Sequence, residues 1–282
     1  MFTSCCPAWV KFMEDNYPEL TNHLSSCKSP QQMGGVVFKT YGAQMNNVDP
    51  KDVFSVAVMP CTCKKFECDR EEMKSSGYKD VDVVITTREL AYLIKDMGID
   101  FNSLNNEDFD SPLGDYTGAG TIFGVTGGVM EAALRSVKDI VEGTSLENIE
   151  YKEVRGFEGI KEATVKIDNV NYNLAIVSGG TNIFRFFEEN LVQKNNYHFV
   201  EFMVCPGGCI NGGWQPHLKS FIKEKVDYKE IRGNVLYSQD KASTFRKSHK
   251  NPSVIFMYEN YLNKDKNLHH SLFHTIYFNI KK

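Results

Sequence analysis

Cys205-Pro-Gly-Gly-Cys209 follows directly on an apolar run, and no other stretch restricts the fold as much. Tyr197 to Val204 is rich in aromatic and β-branched residues and reads as a buried strand. Gly207, Gly208, Gly212 and Gly213 then give the backbone freedom to fold tightly around something large. The pattern is that of a metal loop on the end of a strand. Two thiols do not complete a metal site, and the alternative is a pair of buried cysteines in a glycine-rich turn.

The other cysteines are clustered rather than scattered. Cys5 adjoins Cys6, Cys61 lies near Cys63 and Cys68, and Cys27 stands alone. A chain of 282 residues needs no disulfide framework to stabilise it, so clustered cysteines point to metal or catalysis in a reducing compartment, with the cytoplasm as the default setting. No Cys-x-x-Cys pair is present, which removes thioredoxin-like motifs and most zinc ribbons. A formal net charge of -4 argues against a nucleic-acid partner. No apolar run approaches the roughly 20 residues of a membrane-spanning helix.

Local patterns place these cysteines. Pro7 opens a helical pattern over Ala8 to Leu24, so Cys6 sits at a helix N-terminus, where unpaired amides favour a thiolate. Ser29-Pro30 repeats that start ahead of a helix over Met33 to Met45. Phe54 to Met59 reads as a buried strand delivering Cys61 at its C-terminal end, the same position that Cys205 holds on its own strand. Val81 to Ile85 is a further strand, and Thr86-Thr-Arg-Glu89 starts a helix to about Met97. Gly118 to Gly128 precedes a helix over Val129 to Val141 but lacks the Gly-Lys-Ser/Thr of a phosphate loop, so close backbone approach to another ligand is its better use, with Phe123 facing it. Ile149 to Val154, Ala163 to Ile167 and Tyr172 to Val177 read as strands, and Asn182 to Leu191 as a helix. Beyond Pro216 the chain is polar and basic, with short helices near Ser253 to Leu262 and a solvated, histidine-rich end at His269, His270 and His274.

Cys6, Cys61, Cys205 and Cys209 are thus four thiols from three separated loops, the donor set of a cubane iron-sulfur cluster. A four-cysteine zinc site is the competing reading, although zinc usually takes closely spaced pairs.

Thr3-Ser-Cys-Cys-Pro-Ala-Trp9, Met59-Pro-Cys-Thr-Cys-Lys-Lys-Phe-Glu67 and Glu201-Phe-Met-Val-Cys-Pro-Gly-Gly-Cys-Ile-Asn-Gly-Gly-Trp-Gln-Pro216 resemble the three signature loops of the catalytic domain of FeFe (iron-only) hydrogenases. Ser29-Pro-Gln-Gln32, Thr86-Thr-Arg-Glu89 and Phe123 to Ala133 extend the likeness over nearly the whole chain. The resemblance implies an α/β fold of two lobes, mixed or parallel sheets flanked by helices, with a metal cluster buried between them. It implies that residues 1–282 form the H-cluster domain without its upstream portion and without a separate ferredoxin-like domain, because Met1 almost abuts the first loop. The first lobe is then expected to show exposed sheet edges.

The same resemblance implies reversible reduction of protons to dihydrogen, with ferredoxin as electron partner and maturation proteins supplying the cofactor. Cys6, Cys61, Cys205 and Cys209 would hold a 4Fe4S cluster. Cys209 would bridge to a two-iron subcluster carrying CO, cyanide and an amine-containing dithiolate. Cys5 would relay protons, and Ser25 the next step. Lys64 would bond a cyanide, Met59, Met203 and Phe123 would shield the open iron, and Ser29, Pro30 and Gln31 would touch the diatomic ligands. Cys27, Cys63 and Cys68 have no part in this scheme. A hydrogenosome is the alternative compartment. Non-catalytic relatives of the cytosolic cluster-assembly type and hydrogen sensors are the competing functions; Cys5, Lys64 and Gln31 together speak for the enzyme. The family's pattern has a third glycine where this chain has Trp214, so an indole must be housed beside the loop, which bends outward or hampers cofactor insertion.

Overall fold

Apolar side chains collect into separate cores, which divide the chain into two units. The computed structural model describes residues 1–111, 113–143, 150–189 and 196–277. The first unit comprises Met1–Ser25, Tyr116–Gly212 and Leu218–Asn251; the second comprises Ser26–Asp115, Gly213–His217 and Pro252–Lys282. The architecture is mixed α/β, as the sequence implied. In chain order the elements that matter are α1 (Pro7–Asn16), α2 (Pro30–Val37), β1 (Val56–Met59), α3 (Cys63–Cys68), β2 (Val83–Thr86), α4 (Thr87–Asp96), α5 (Gly128–Glu142), β3 (Ile160–Ile167), β4 (Val170–Ser178), α6 (Gly180–Glu188), β5 (Phe199–Met203), α7 (Tyr228–Ala242), α8 (Pro252–Asn260) and α9 (Leu268–Phe273). None of the described helices is long and apolar enough to cross a membrane.

In the first unit the sheet order is β3-β4-β5. β3 and β4 are antiparallel, joined at Asp168-Asn169, whose φ values of 45° and 63° make the two-residue turn that matches strand twist. β4 and β5 are parallel, with α6 in the crossover. Met130, Leu134, Val165, Leu174 and Ile176 form its core. The N-terminal residues run along the free side of β5: Val200 N donates to Met1 O at 2.9 Å, and Thr3 N donates to Val200 O at 3.0 Å. Trp9, fully buried, stacks on Phe202 at 3.9 Å and donates from Nε1 to Thr3 O at 2.9 Å. Because this segment is parallel to β5, Cys5-Cys6 and Cys205 leave the sheet at the same end.

The second unit holds β1 and β2 as a parallel pair, Val56 opposite Val83 and Met59 opposite Thr86. Cys68, Val81 and Val84 form a small core against Ala57 and Met59, while Val36, Tyr41, Met257, Leu262 and Phe273 form another. Among the described residues β1 pairs with β2 alone, and Phe54, Val56 and Val58 remain 69%, 50% and 44% exposed, so the strand expected to be buried over Phe54 to Met59 is shorter and open on one face, because a two-stranded pair covers only part of it.

Several boundaries differ from expectation. Pro18 ends α1, and a 3₁₀ segment Pro18–His23 replaces the helix's second half, since proline supplies no amide to the ladder. The helix after Ser29 continues through a π-helical stretch Phe38–Gly42 to Met45. The strand expected over Ile149 to Val154 is not formed where described: Lys152–Val154 is a 3₁₀ turn, and residue 149 lies outside the described residues. The end of the expected Asn182 to Leu191 helix likewise lies outside them, the observed helix being Gly180–Glu188. The 15-residue α7 was not anticipated.

Candidate metal centre

The first unit carries three of the four proposed metal-binding thiols, and backbone geometry holds them. Cys6 is the N-cap of α1, with φ -96° and ψ 104°, and Pro7 fills the first helical position. Cys5 and Cys6 are half-buried. The Cys205 loop turns on two left-handed glycines, Gly207 at φ 85° and Gly208 at φ 97°. Gly212 and Gly213 are not left-handed, so only half of the expected glycine freedom is used. Gly207 N donates to Ser178 Oγ at 2.8 Å, Gly208 N to Cys205 O at 2.9 Å, and Thr126 N to Gly207 O at 3.1 Å. A Cβ on Gly208 would lie 2.7 Å from Gly124 O and from Thr126 N. Arg232 of α7 donates to Ile210 O at 2.9 Å, so the unanticipated helix braces this loop. The sequence hid α7 because it is polar along most of its length, with only Gly233 and Asp240 buried. Met203 is buried at the end of β5, Phe123 sits half-buried in the turn that meets Gly208, and Ser25 donates its N–H to Phe2 O at 2.8 Å.

In the second unit both main-chain and side-chain groups hold Cys61. Cys63 N donates to Cys61 Sγ at 3.2 Å. The side-chain hydrogen bond from Cys63, helped by backbone donors and the Lys64 charge, holds the Cys61 thiol well below its ordinary value, at about 6, against the opposing effect of burial. Cys61 therefore favours the thiolate that binds metal. Lys64, Ser29 and Gln31 do come together, and the residue that gathers them is Glu67. This carboxylate, 4% exposed, accepts from Ser29 Oγ at 2.8 Å, Lys64 Nζ at 2.9 Å and Gln31 Nε2 at 3.3 Å. The three-residue spacing of Lys64 and Glu67 on one helix was the available signal. Pro30 occupies the first turn of α2. Gln31 Oε1 is buried with no hydrogen-bond partner among the described residues, a capacity that a bound polar group would use. Met59, half-buried, packs against the small core.

The remaining cysteines divide clearly. Cys63 orders Cys61, while Cys68 is a core thiol whose Sγ donates to Lys65 O at 3.1 Å. Cys27 is exposed and pairs with His274 in a β-bridge. Trp214 is half-buried beneath Arg88, whose guanidinium lies 4.2 Å from the ring centroid and donates to Gly213 O at 2.8 Å. Trp214 N donates to Pro60 O at 3.0 Å, which ties the indole's backbone to the residue before Cys61.

Among the described residues, no three His, Cys, Asp or Glu side chains are gathered closely enough for a single metal ion. The donor chemistry nonetheless fits an iron-sulfur cluster: thiols from separated loops, one acidified by its neighbours, one at a helix N-terminus and two on a glycine turn.

The family model described as "Iron only hydrogenase large subunit, C-terminal domain" matches residues 1–213, and that for "Iron hydrogenase small subunit" matches residues 226–280. The chain is 55% identical over 264 residues to iron hydrogenase 1 of Clostridium pasteurianum, covering 94% of this chain and 46% of that protein. It is 45% identical over 279 residues to the NADP-reducing hydrogenase subunit HndD of Solidesulfovibrio fructosivorans, covering 99% and 47%. The chain thus spans about half the length of these curated relatives. Among solved structures, apo FeFe-hydrogenase HydA1 from Chlamydomonas reinhardtii, variant C377H, matches with a TM-score of 0.82 at 36% identity, covering 99% of this chain and 76% of that one.

Proposed function

The chain belongs to the iron-only hydrogenase family, and from that premise we propose that it is the H-cluster-bearing part of a hydrogenase that interconverts protons and dihydrogen. The observation that carries the reading is the parallel run of the N-terminal segment beside β5, which brings Cys5-Cys6 and Cys205 out at one end of one sheet. Cys6, Cys61, Cys205 and Cys209 would hold a 4Fe4S cluster, with Cys209 shared with a two-iron subcluster bearing CO, cyanide and a dithiolate. When bound, that group supplies electron storage and an open iron for making or splitting dihydrogen.

The protein's part is to bind, orient and carry protons. Cys5 Sγ holds the proton in transit, because a thiol titrates within reach of neutral pH where a serine hydroxyl does not. Ser25 Oγ takes the next step outward. Lys64 Nζ, fixed against Glu67, presents positive charge to an anionic ligand, and Ser29, Pro30 and Gln31 line the same side. Met59, Met203 and Phe123 exclude water with soft apolar groups that do not compete as ligands. Ferredoxin is the proposed electron partner, maturation proteins assemble the cofactor, and the cytoplasm, or a hydrogenosome in an anaerobic eukaryote, is the proposed compartment.

Anaerobic maturation followed by infrared spectroscopy tests this reading. We expect bands of bound CO and cyanide; iron and sulfide without those bands would make the chain a non-catalytic iron-sulfur protein. Cys5→Ser is expected to keep the bands and lose at least about a hundredfold in turnover. Turnover retained by the matured variant would remove Cys5 from the proton path.

A further inference from the structure

Glu201 stands four residues before Cys205 with no solvent exposure. Its Oε1 accepts from Gly127 N at 2.6 Å and its Oε2 from Met130 N at 2.7 Å, so both oxygens are spent on the start of α5. Gly127 is left-handed at φ 85°, and a Cβ there would lie 2.0 Å from Val154 O. Lys161 Nζ donates to that same carbonyl at 2.9 Å and to Gly156 O at 2.8 Å, which closes the far side of the turn. The preceding residue, Thr126, donates its N–H to Gly207 O at 3.1 Å, between the two thiols. The contacts therefore form a ring: Glu201 to Gly127, Thr126 to Gly207, Gly207 to Cys205, and Cys205 back along β5 to Glu201.

We infer that Glu201 is a positioning residue for Cys205 and Cys209, fastening the 123–128 turn to β5 so that the turn holds the middle of the thiol loop. The proposed function enters only in what the thiols bind; the ring itself is a property of the polypeptide. A buried carboxylate with two backbone donors is suited to this task because both its oxygens accept. A carboxamide offers one acceptor oxygen and would set its own NH₂ against the second N–H. A residue serving stability alone would loosen the whole unit when altered, whereas one link of the ring would loosen the thiol loop selectively.

The test uses the full chain, iron-free and anaerobic, pulse-alkylated with iodoacetamide at alkaline pH, above the range in which Glu201 takes a proton, so that both its oxygens accept, and read by peptide mass spectrometry. E201Q is expected to label Cys205 and Cys209 about tenfold faster than the parent, with Cys27 and Cys61 unchanged, because a lost charge-assisted bond promotes local opening. Val165→Ala, which lightens the apolar core of the same unit but removes none of the ring's hydrogen bonds, serves as the destabilised control and should show no such selectivity. After reconstitution with iron and sulfide, E201Q should also bind less iron and show an altered electron paramagnetic resonance signal. If E201Q does not accumulate folded, E201D withdraws both oxygens by one methylene and is read in the same way. Unchanged labelling at Cys205 and Cys209, or acceleration equal to that of Val165→Ala, overturns the inference. Failure of the parent chain to take up iron would instead count against the proposed function, leaving the labelling result to decide this one.

Discussion

The two cysteine-bearing regions are held in opposite ways. In the first unit the Cys205 loop is fixed mainly by main-chain groups: left-handed Gly207 and Gly208, the Thr126 to Gly207 bond, and a glutamate spent entirely on backbone amides. In the second unit main-chain amides reach Cys61 Sγ and Pro60 O, but the helix that follows Cys61 and the segment beside it are fixed by side chains: Glu67 with Ser29, Gln31 and Lys64, and Arg88 stacked on Trp214. A main-chain lock leaves no room for a Cβ and has few alternative arrangements. A side-chain lock can repack, and it leaves polar capacity such as Gln31 Oε1 unspent. The difference suits rigid presentation of two thiols in one region and adjustable polar contact in the other.

The sharpest way to break this contrast is to add one methyl group to each region within the same glycine-rich motif. Gly208→Ala forces a side chain onto φ 97° and into two backbone atoms at 2.7 Å, so we expect a loss of about 3 kcal/mol or more and failure of cluster uptake. Gly213→Ala meets nothing within 4 Å and should stay within about 0.5 kcal/mol of the parent. Urea denaturation and iron analysis of the two variants decide the matter. Equal penalties would show that the main-chain lock extends through the whole motif.

A somewhat smaller effect follows from the buried carboxylate. Burial pushes the Glu201 carboxyl up to about 7, opposed by the amides of Met130 and Gly127 and by the charge of Lys161, itself lowered to about 8 by burial. A glutamate raised above its unfolded value of about 4.5 favours the folded state while both forms are protonated. That advantage is lost as pH rises from about 4.5 to about 7, a decline worth about 3 kcal/mol. Lys161 acts in the other direction only above about 8, where the unfolded chain still binds a proton that the folded one has released. Chemical denaturation of the first unit at a series of pH values should therefore show stability falling across the lower window, and E201Q should flatten it. A flat profile in the parent chain would mean that the amide donors outweigh burial.

Sequence reasoning reached the features that are written locally. Cys6 at a helix start, Cys61 and Cys205 at strand ends, the Asp168-Asn169 turn and the Thr86–Glu89 cap are each set by a few adjacent residues, and each is where the pattern placed it. The pairing of Glu67 with Lys64 is written in their spacing, but the burial of Glu67 and of Glu201 depends on what packs over them, which spacing does not encode. The helix α7 escaped because it buries few side chains, and Ile149 to Val154 misled because an apolar alternation can line a turn as well as a strand. Trp214 was legible only as a departure from a pattern; its accommodation depends on Arg88, far away in sequence.

The smallest expected effect concerns that indole, and it tests whether the boundary between the two regions falls inside the motif. Trp214 lies in the second unit, five residues after Cys209 and stacked on Arg88, whose Nε is buried without a partner among the described residues. Trp214→Gly removes the ring but keeps the amide that bonds Pro60 and the carbonyl of Gly213 that bonds Arg88. The loss should comprise the cation–π contact, the apolar burial of the half-covered ring and glycine's extra backbone freedom, about 2 kcal/mol in all, seen as a drop in the stability of the second unit. Alkylation of Cys61, beside Pro60, should quicken slightly, while that of Cys205 and Cys209 should not. If Cys209 instead responds to Trp214→Gly as strongly as to Gly208→Ala, the indole belongs to the main-chain lock, and the two modes of holding thiols are not separated at Gly212.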